Sequence, residues 1–161
     1  MKGYICTIAL AISSLIGEVS SLTPSPLEYL TLPWERGAIF VNPYAQAMLV
    51  SGVPCIGGGL SLRYPLRNFT MIEADLGGYS LHKSDYLLQS SVAVLIPLGV
   101  SPVYFRTGIG GLYESSGVGY APYIPVSLGY QAARGFAEIG AQATFRRDSP
   151  LSPMVRSGFS F

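Results

Sequence analysis

Apolar and polar residues alternate along most of this chain, in short segments that are separated by turn-forming clusters. A period of two places apolar side chains on one face of a β-strand and polar or small side chains on the other. The pattern predicts strands near residues 43–51, 57–66, 69–80, 85–98, 102–114, 120–131, 134–146 and 152–161. The breaks between them are rich in Gly, Pro, Asn, Asp and Ser, as at Asp148-Ser149-Pro150. An even number of antiparallel strands lets the last strand pair with the first, which removes both sheet edges.

The two faces of the predicted strands differ in chemistry. In the seventh strand, for example, Ala137, Ile139 and Ala141 lie on the face opposite to Glu138 and Gln142. Six charged residues of the strands are expected on the polar, inner face: Arg63, Glu73, Asp75, Arg106, Glu138 and Arg156.

Alternation alone also fits a soluble sandwich or a lipocalin-like barrel with its apolar face inward. Only 12% of the residues are charged, whereas ~25–35% is usual for a soluble surface. The mean hydropathy of +0.39 is high, yet after residue 16 no apolar run is long enough for a membrane-spanning helix. We therefore predict an all-β fold, a closed antiparallel up-and-down transmembrane β-barrel of about eight strands with apolar side chains outward.

Three features fit this pattern less well or refine it. The fourth strand is ambiguous because Leu87 and Leu95 share the expected inner face with polar residues. Pro125, and to a lesser degree Pro43 and Pro97, fall inside strands, so we expect them at bulges or near the rims. Aromatic residues near strand ends are expected to form interfacial girdles, unless they are ordinary turn-flanking residues: Tyr44, Tyr64, Tyr104, Tyr130 and Phe161 at one rim, and Tyr79, Tyr86, Tyr113, Tyr123 and Phe145 at the other.

The N-terminal residues have the features of an export signal. Lys2 precedes an apolar stretch over 3–16, and Val19-Ser20-Ser21 supplies the small residues of a cleavage site. A buried N-terminal helix is the alternative. We expect a signal peptide at 1–21, a proline-containing periplasmic lead-in at 22–36 and the barrel at 37–161. Cleavage would leave Cys55 as a lone thiol, which we interpret as a structural or loop residue, with intermolecular pairing as the alternative.

The C-terminal segment Val155-Arg-Ser-Gly-Phe-Ser-Phe161 resembles the last strand of bacterial outer-membrane proteins. Those proteins end in an aromatic residue that follows apolar residues at alternate positions, here Phe161, Phe159 and Val155, whereas Ser157 departs from the pattern. The resemblance implies recognition by the barrel-assembly machinery and a location in the bacterial outer membrane, in contact with its lipid. With the export signal and the strand number, the whole chain is similar in architecture to the small barrels typified by outer membrane proteins A and X.

Three arginines and three carboxylates on the inner face suggest the state of the lumen. Eight strands enclose a space that is only wide enough for side chains, and buried charges are tolerated there when they are paired. We expect an ionic core that closes the lumen, with glycines such as Gly77, Gly108 and Gly129 making room for the arginines. We therefore expect a monomeric barrel without an open pore, which has a structural role or interacts with other molecules.

Two other functions stay open on the sequence. His82, Ser84 and Asp85 fall in one predicted outer loop, a residue set that suits a lipid A-modifying enzyme, although we expect no catalysis. Pro125 and the run 57–59 of three glycines suggest instead a gap in the wall and a carrier of small apolar molecules. The sequence contains no phosphate-binding or metal-ligand spacing, so no cofactor is expected. The net charge is +1, and no basic block exists beyond the pair Arg146-Arg147. A nucleic-acid-binding face would need clustered basic residues, so none is expected.

Overall fold

The protein was analysed as a computed structural model, which describes residues 39–50, 52–66, 70–80, 85–99, 101–115, 119–132, 134–145 and 151–161. The predicted signal peptide and lead-in lie outside these residues. The described chain forms eight strands: β1 (Phe40–Val50), β2 (Val53–Pro65), β3 (Met71–Ser80), β4 (Tyr86–Pro97), β5 (Val103–Glu114), β6 (Gly119–Gln131), β7 (Gly135–Thr144) and β8 (Leu151–Phe159).

The eight strands form one closed barrel in which each strand pairs antiparallel with its sequence neighbours and β8 pairs with β1. The predicted all-β, closed antiparallel barrel and its strand number are therefore confirmed. The largest change in bounds is in β2, which begins at Val53, so residues 53–56 belong to the wall and not to the break expected between the first two strands. We call the end at which β1 begins and β8 ends the terminal end, and the other the distal end.

Two tight connections show how the turn residues work. Val50 of β1 faces Val53 of β2, and Gly52 between them has φ = 78°. Gly99 has φ = 73° after β4, where the Ser101 hydroxyl donates to the Leu98 carbonyl at 2.8 Å. A positive φ is the left-handed region, which glycine adopts without the steric cost that a Cβ imposes, and this explains the residue at both turns.

Prolines interrupt two of the ladders without shifting their register. Between β5 and β6 the pairs stop at Thr107–Val126 and resume in the same register at Gly110–Tyr123, across Pro125. The expectation of a bulge at Pro125 was therefore wrong, and the loss is confined to the hydrogen bonds beside the ring, which lacks a donor.

The seam between β1 and β8 is interrupted in the same way at Pro43. Its continuous ladder runs from Tyr44–Gly158 to Met48–Met154. Beyond Pro43, Val41 and Phe161 exchange two backbone hydrogen bonds of 3.2 and 3.1 Å in the same register. Again there is no bulge, and the final residue of the chain takes part in closing the barrel.

The barrel has its apolar surface outside and its charges inside. Ile109 and Ile139, in the middle of β5 and β7, are 72% and 66% exposed. Of the nine charged residues in the described ranges, six are buried in the interior and three lie at strand ends, namely Asp85, Glu114 and Arg134. The described lateral wall therefore presents no charged side chain to its surroundings.

Apolar clusters occupy both ends of the interior. The distal apolar cluster contains Met48, Cys55, Tyr79, Leu87, Leu112, Tyr123 and Met154. The terminal apolar cluster contains Met71, Leu95 and Tyr104, with Phe40 packed against it. The two leucines that made the fourth strand ambiguous therefore point inward, one into each cluster. Cys55 is fully buried within β2, which agrees with a structural role and contradicts a place in a loop.

Four of the tyrosines expected in the girdles lie inside the barrel. Tyr44, Tyr79, Tyr104 and Tyr123 are buried. Each shares a face with polar residues of its own strand, so strand parity already contained the signal that the girdle hypothesis ignored. Five other residues expected in the girdles are exposed: Tyr64, Tyr86, Tyr113, Phe145 and Phe161.

At two inner glycines, Gly77 and Gly129, the atoms nearest to an added Cβ belong to tyrosines and not, as expected, to arginines. Gly129 of β6 lies opposite Tyr104 of β5, and a Cβ at Gly129 would overlap the tyrosine ring. A Cβ at Gly77 would likewise meet the hydroxyls of Tyr44 and Tyr79. At Gly108 a Cβ would collide with the backbone of β4.

Candidate functional site: a buried ionic cluster

Six charged side chains from five strands meet in the barrel interior, and we call this set the ionic cluster: Arg63, Glu73, Asp75, Arg106, Glu138 and Arg156. Two of its pairs follow directly from strand register. Arg63 of β2 faces Glu73 of β3, and Glu138 of β7 faces Arg156 of β8. Because inward residues alternate along each strand, both pairs point into the lumen, where Arg63 of one pair contacts Glu138 of the other at 2.8 Å.

Glu73 is bonded to all three arginines. Its Oε2 accepts from Arg63 Nε at 2.6 Å, and its Oε1 accepts from Arg106 Nε and from Arg156 Nη1, both at 2.8 Å. One carboxylate of β3 therefore binds arginines of three other strands, and two of these strands, β5 and β8, are not neighbours of β3 in the sheet.

The other two carboxylates complete the network. Asp75 Oδ2 accepts from Arg106 Nη2 at 2.6 Å and from the Ser91 hydroxyl. Glu138 Oε1 accepts from Arg63 Nη2 at 2.8 Å and from the Tyr104 hydroxyl at 2.6 Å. Each carboxylate is thus held by at least one guanidinium and one hydroxyl or second guanidinium.

All six side chains are 0–1% exposed. Aromatic rings cover the guanidinium faces that the carboxylates leave free: Arg63 lies 4.0 Å from the Phe136 ring centroid, and Arg156 lies 3.9 Å from that of Tyr44. A planar guanidinium suits this setting, because it donates in its plane while its face packs on a ring. The rings of Phe136 and Tyr44 thereby cover one face of each of these two guanidinium groups.

The cluster is electrically balanced, with three cations and three anions. Charges moved from water into a protein interior are costly unless they are paired and hydrogen-bonded. Here the arrangement holds strands together through side chains, in addition to the backbone ladders. Removal of one member would leave an uncompensated charge in the interior.

Uncharged polar residues that were not among the predicted members of the ionic cluster surround it. Gln131 Oε1 accepts from Arg63 Nη1 at 2.8 Å, and Gln142 Nε2 donates to Gln89 Oε1 at 2.8 Å. Asn42 and Gln46 of β1 are also buried in the lumen. Parity predicts all of these positions as inward, so the signal that would have found them was available in the sequence.

The structure describes only one of the three candidate catalytic residues. His82 and Ser84 lie outside the described residues, and Asp85 is a half-buried residue just before β4. The three C-terminal residues of the assembly motif all lie on the outer face: Val155 pairs with Ala47 and Ile139, while Phe159 and Phe161 are exposed. The glycine run at 57–59, which the carrier hypothesis would place at a gap in the wall, is paired with β1 on one side and β3 on the other.

No protein-family model matches this chain, and a search of curated proteins found no match. Within the described ranges there is no group of three or more His, Cys, Asp or Glu side chains that would hold a metal ion. Those same residues include no helix of the length and apolar character needed to cross a bilayer.

Proposed function

We propose that the protein is a bacterial outer-membrane barrel with a structural or interaction role, whose lumen is closed by the ionic cluster and the two apolar clusters. The single observation that carries the proposal is the distribution of side chains across the wall. Arg106 and Arg156 are 1% exposed in the interior, whereas Leu62 and Ile109 are at least 50% exposed on the outside.

A lipid environment accounts for the outer surface. Among the described residues, 27 large hydrophobic side chains are exposed, and the strands between them present no outward charge. In water, apolar patches beyond a few hundred Å² are rare on monomeric proteins. In a bilayer the same surface is the expected one for a small transmembrane barrel.

The first test is whether the folded protein belongs to the membrane fraction and keeps barrel structure in detergent. We expect the chain, expressed with its N-terminal segment in a Gram-negative host, to resist extraction by urea from the outer membrane. We also expect its folded and boiled forms to migrate differently in gel electrophoresis. Recovery as a folded soluble protein without detergent would contradict the proposal.

The closure of the lumen is tested separately by reconstitution into planar bilayers. The unmodified protein should give no steady conductance, because in this proposal the ionic cluster and the two apolar clusters close the lumen. A steady ion current from unmodified, correctly folded protein would contradict the closure but not the membrane location.

The competing enzymatic function predicts a different result. If His82 acts as a base for a nucleophilic Ser84, lipid A from cells that contain the protein should show a changed acyl composition by mass spectrometry. The change should vanish in His82→Ala. We expect no change with either protein, because catalysis is not part of the proposed role.

A further inference from the structure

Several buried polar atoms in the interior have no protein hydrogen-bond partner. Six of the eight such atoms among the described residues lie on three adjacent strands: Asn42 Oδ1, Gln46 Nε2, Gln46 Oε1, Ser61 Oγ, Arg156 Nε and Arg156 Nη2. A buried donor or acceptor without a partner costs free energy comparable to a lost hydrogen bond. The concentration of these atoms beside β1 therefore requires a physical explanation.

Gln46 and Arg156 form the densest part of this patch. They face each other across the β1–β8 seam and are 2% and 1% exposed. Arg156 uses Nη1 for Glu73, and the Tyr44 ring covers the face of its guanidinium. The in-plane edge of the Arg156 guanidinium, formed by Nε and Nη2, therefore has no hydrogen-bond partner. In the neighbouring Gln46 side chain, neither the amide nitrogen nor the amide oxygen has a partner.

The site is enclosed by its neighbours. The next inward pair towards the distal end is Met48–Met154, which belongs to the distal apolar cluster. On the other side of Gln46 the facing residue is Gly57, which has no side chain to bond to the amide. The polar patch therefore lies between the ionic cluster and an apolar seal.

The charge around the patch selects the kind of ligand. Nη1 of Arg156 already lies within 4.0 Å of three carboxylates, at 2.8 Å from Glu73, 3.9 Å from Asp75 and 3.6 Å from Glu138. Since the ionic cluster is neutral, an added ion would leave a net charge in the interior, which is costly. A small neutral molecule that both accepts and donates fits instead, because it can accept from the arginine edge and donate to the glutamine oxygen.

We propose that Gln46 and Arg156 form a binding site for ordered water, sealed inside the barrel beneath the Met48–Met154 pair. Buried water typically makes about three hydrogen bonds to otherwise unpartnered polar groups, and this site offers four such atoms on two residues. The inference depends on the closed barrel and not on the membrane location, so either can fail without the other.

The thermodynamic test replaces Gln46 with methionine, which has a similar size and no strong hydrogen-bonding group. If water bridges Gln46 to Arg156, Gln46→Met should raise the unfolding equilibrium constant about tenfold more than the control Leu87→Met does. Leu87 is an inward residue of the same interior, so the control measures the effect of the methionine itself. If Gln46 is instead dry and unpartnered, its removal should leave the protein as stable as the control or more stable, and this overturns the proposal.

A direct test uses the unmodified protein and is decisive even if the variant does not fold. Nuclear magnetic resonance in micelles should show long-lived water contacts at the Gln46 side-chain amide and at Arg156 Nε–H. Arg63 Nε–H, which donates to Glu73 at 2.6 Å, is the internal control and should show none. Absence of water contacts at Gln46 and Arg156 would refute the site.

Discussion

The inner and outer surfaces of this wall are made by the same strands, yet they follow opposite rules. Along β3 the inward residues include Glu73, Asp75 and Tyr79, whereas the outward residues include Ile72 and Leu76. A soluble barrel would show the reverse arrangement, with its carboxylates outside. Successive side chains of a strand point to opposite faces. A shift of the strand register by one residue would therefore move every inward side chain to the outer surface and every outward side chain to the interior.

The comparison shows that each surface suits a different medium. On the inside, charged groups are stabilised by partners that the protein itself supplies, and every distance depends on five strands meeting correctly. On the outside, single apolar residues do not need a specific partner. Changes to the inner surface should therefore be costly and specific, whereas changes to the outer surface should depend on what surrounds the barrel.

The largest effect is expected from Glu73→Gln, which keeps the shape of the residue and removes the anion shared by three arginines. Breaking a buried ion pair by neutralising one partner costs about 3–5 kcal/mol, so the free energy of unfolding in urea should fall by that amount. The control is Arg134→Gln, an exposed charge at a strand end, where the change should stay within about 0.5 kcal/mol. Equal, small losses for both variants would show that the ionic cluster does not stabilise the barrel.

A smaller effect is expected from a charge added to the outer surface. Leu76 lies in the middle of β3 and is 66% exposed, so Leu76→Arg should cost about 2–4 kcal/mol in lipid vesicles. Leu98 is also exposed but lies beyond the end of β4, and Leu98→Arg should cost only about 0–1 kcal/mol. If Leu76→Arg is harmless while the protein folds without lipid or detergent, the outer surface faces water and the membrane proposal is wrong.

Strand parity and low charge predicted much of this architecture before any coordinates. They gave the strand number and the inward side of residues such as Arg106 and Glu138, since both properties depend on local alternation. They did not predict which charges meet, because the bonds of Glu73 to Arg106 and Arg156 connect strands that are not neighbours in the sheet. That geometry depends on how the sheet curves and closes.

The errors came from two different sources. The girdle hypothesis is wrong for the inward tyrosines because the side that a residue faces depends on strand parity, and Tyr104 has the same parity as Arg106 on the same strand. The proline prediction failed for another reason. Sequence shows that Pro125 lacks a donor, but it does not show that the neighbouring strands keep their register across the missing bonds.

The smallest of the three effects tests the packing of glycine against the inner rings. A Cβ at Gly129 would overlap the buried Tyr104 ring, whose hydroxyl is fixed to Glu138 at 2.6 Å, so the ring has no free direction in which to move. Overpacking of this kind costs about 1–3 kcal/mol, and Gly129→Ala should lower the free energy of unfolding accordingly. The matched control is Gly78→Ala on the outer face, where the Cβ would meet only Leu88 Cδ2 at 3.6 Å. There the smaller entropy of the unfolded alanine chain should leave stability unchanged or raise it by up to about 1 kcal/mol. A loss at Gly78 as large as that at Gly129 would mean that the wall resists any added side chain, inside or outside, and that the rings do not determine where glycine is needed.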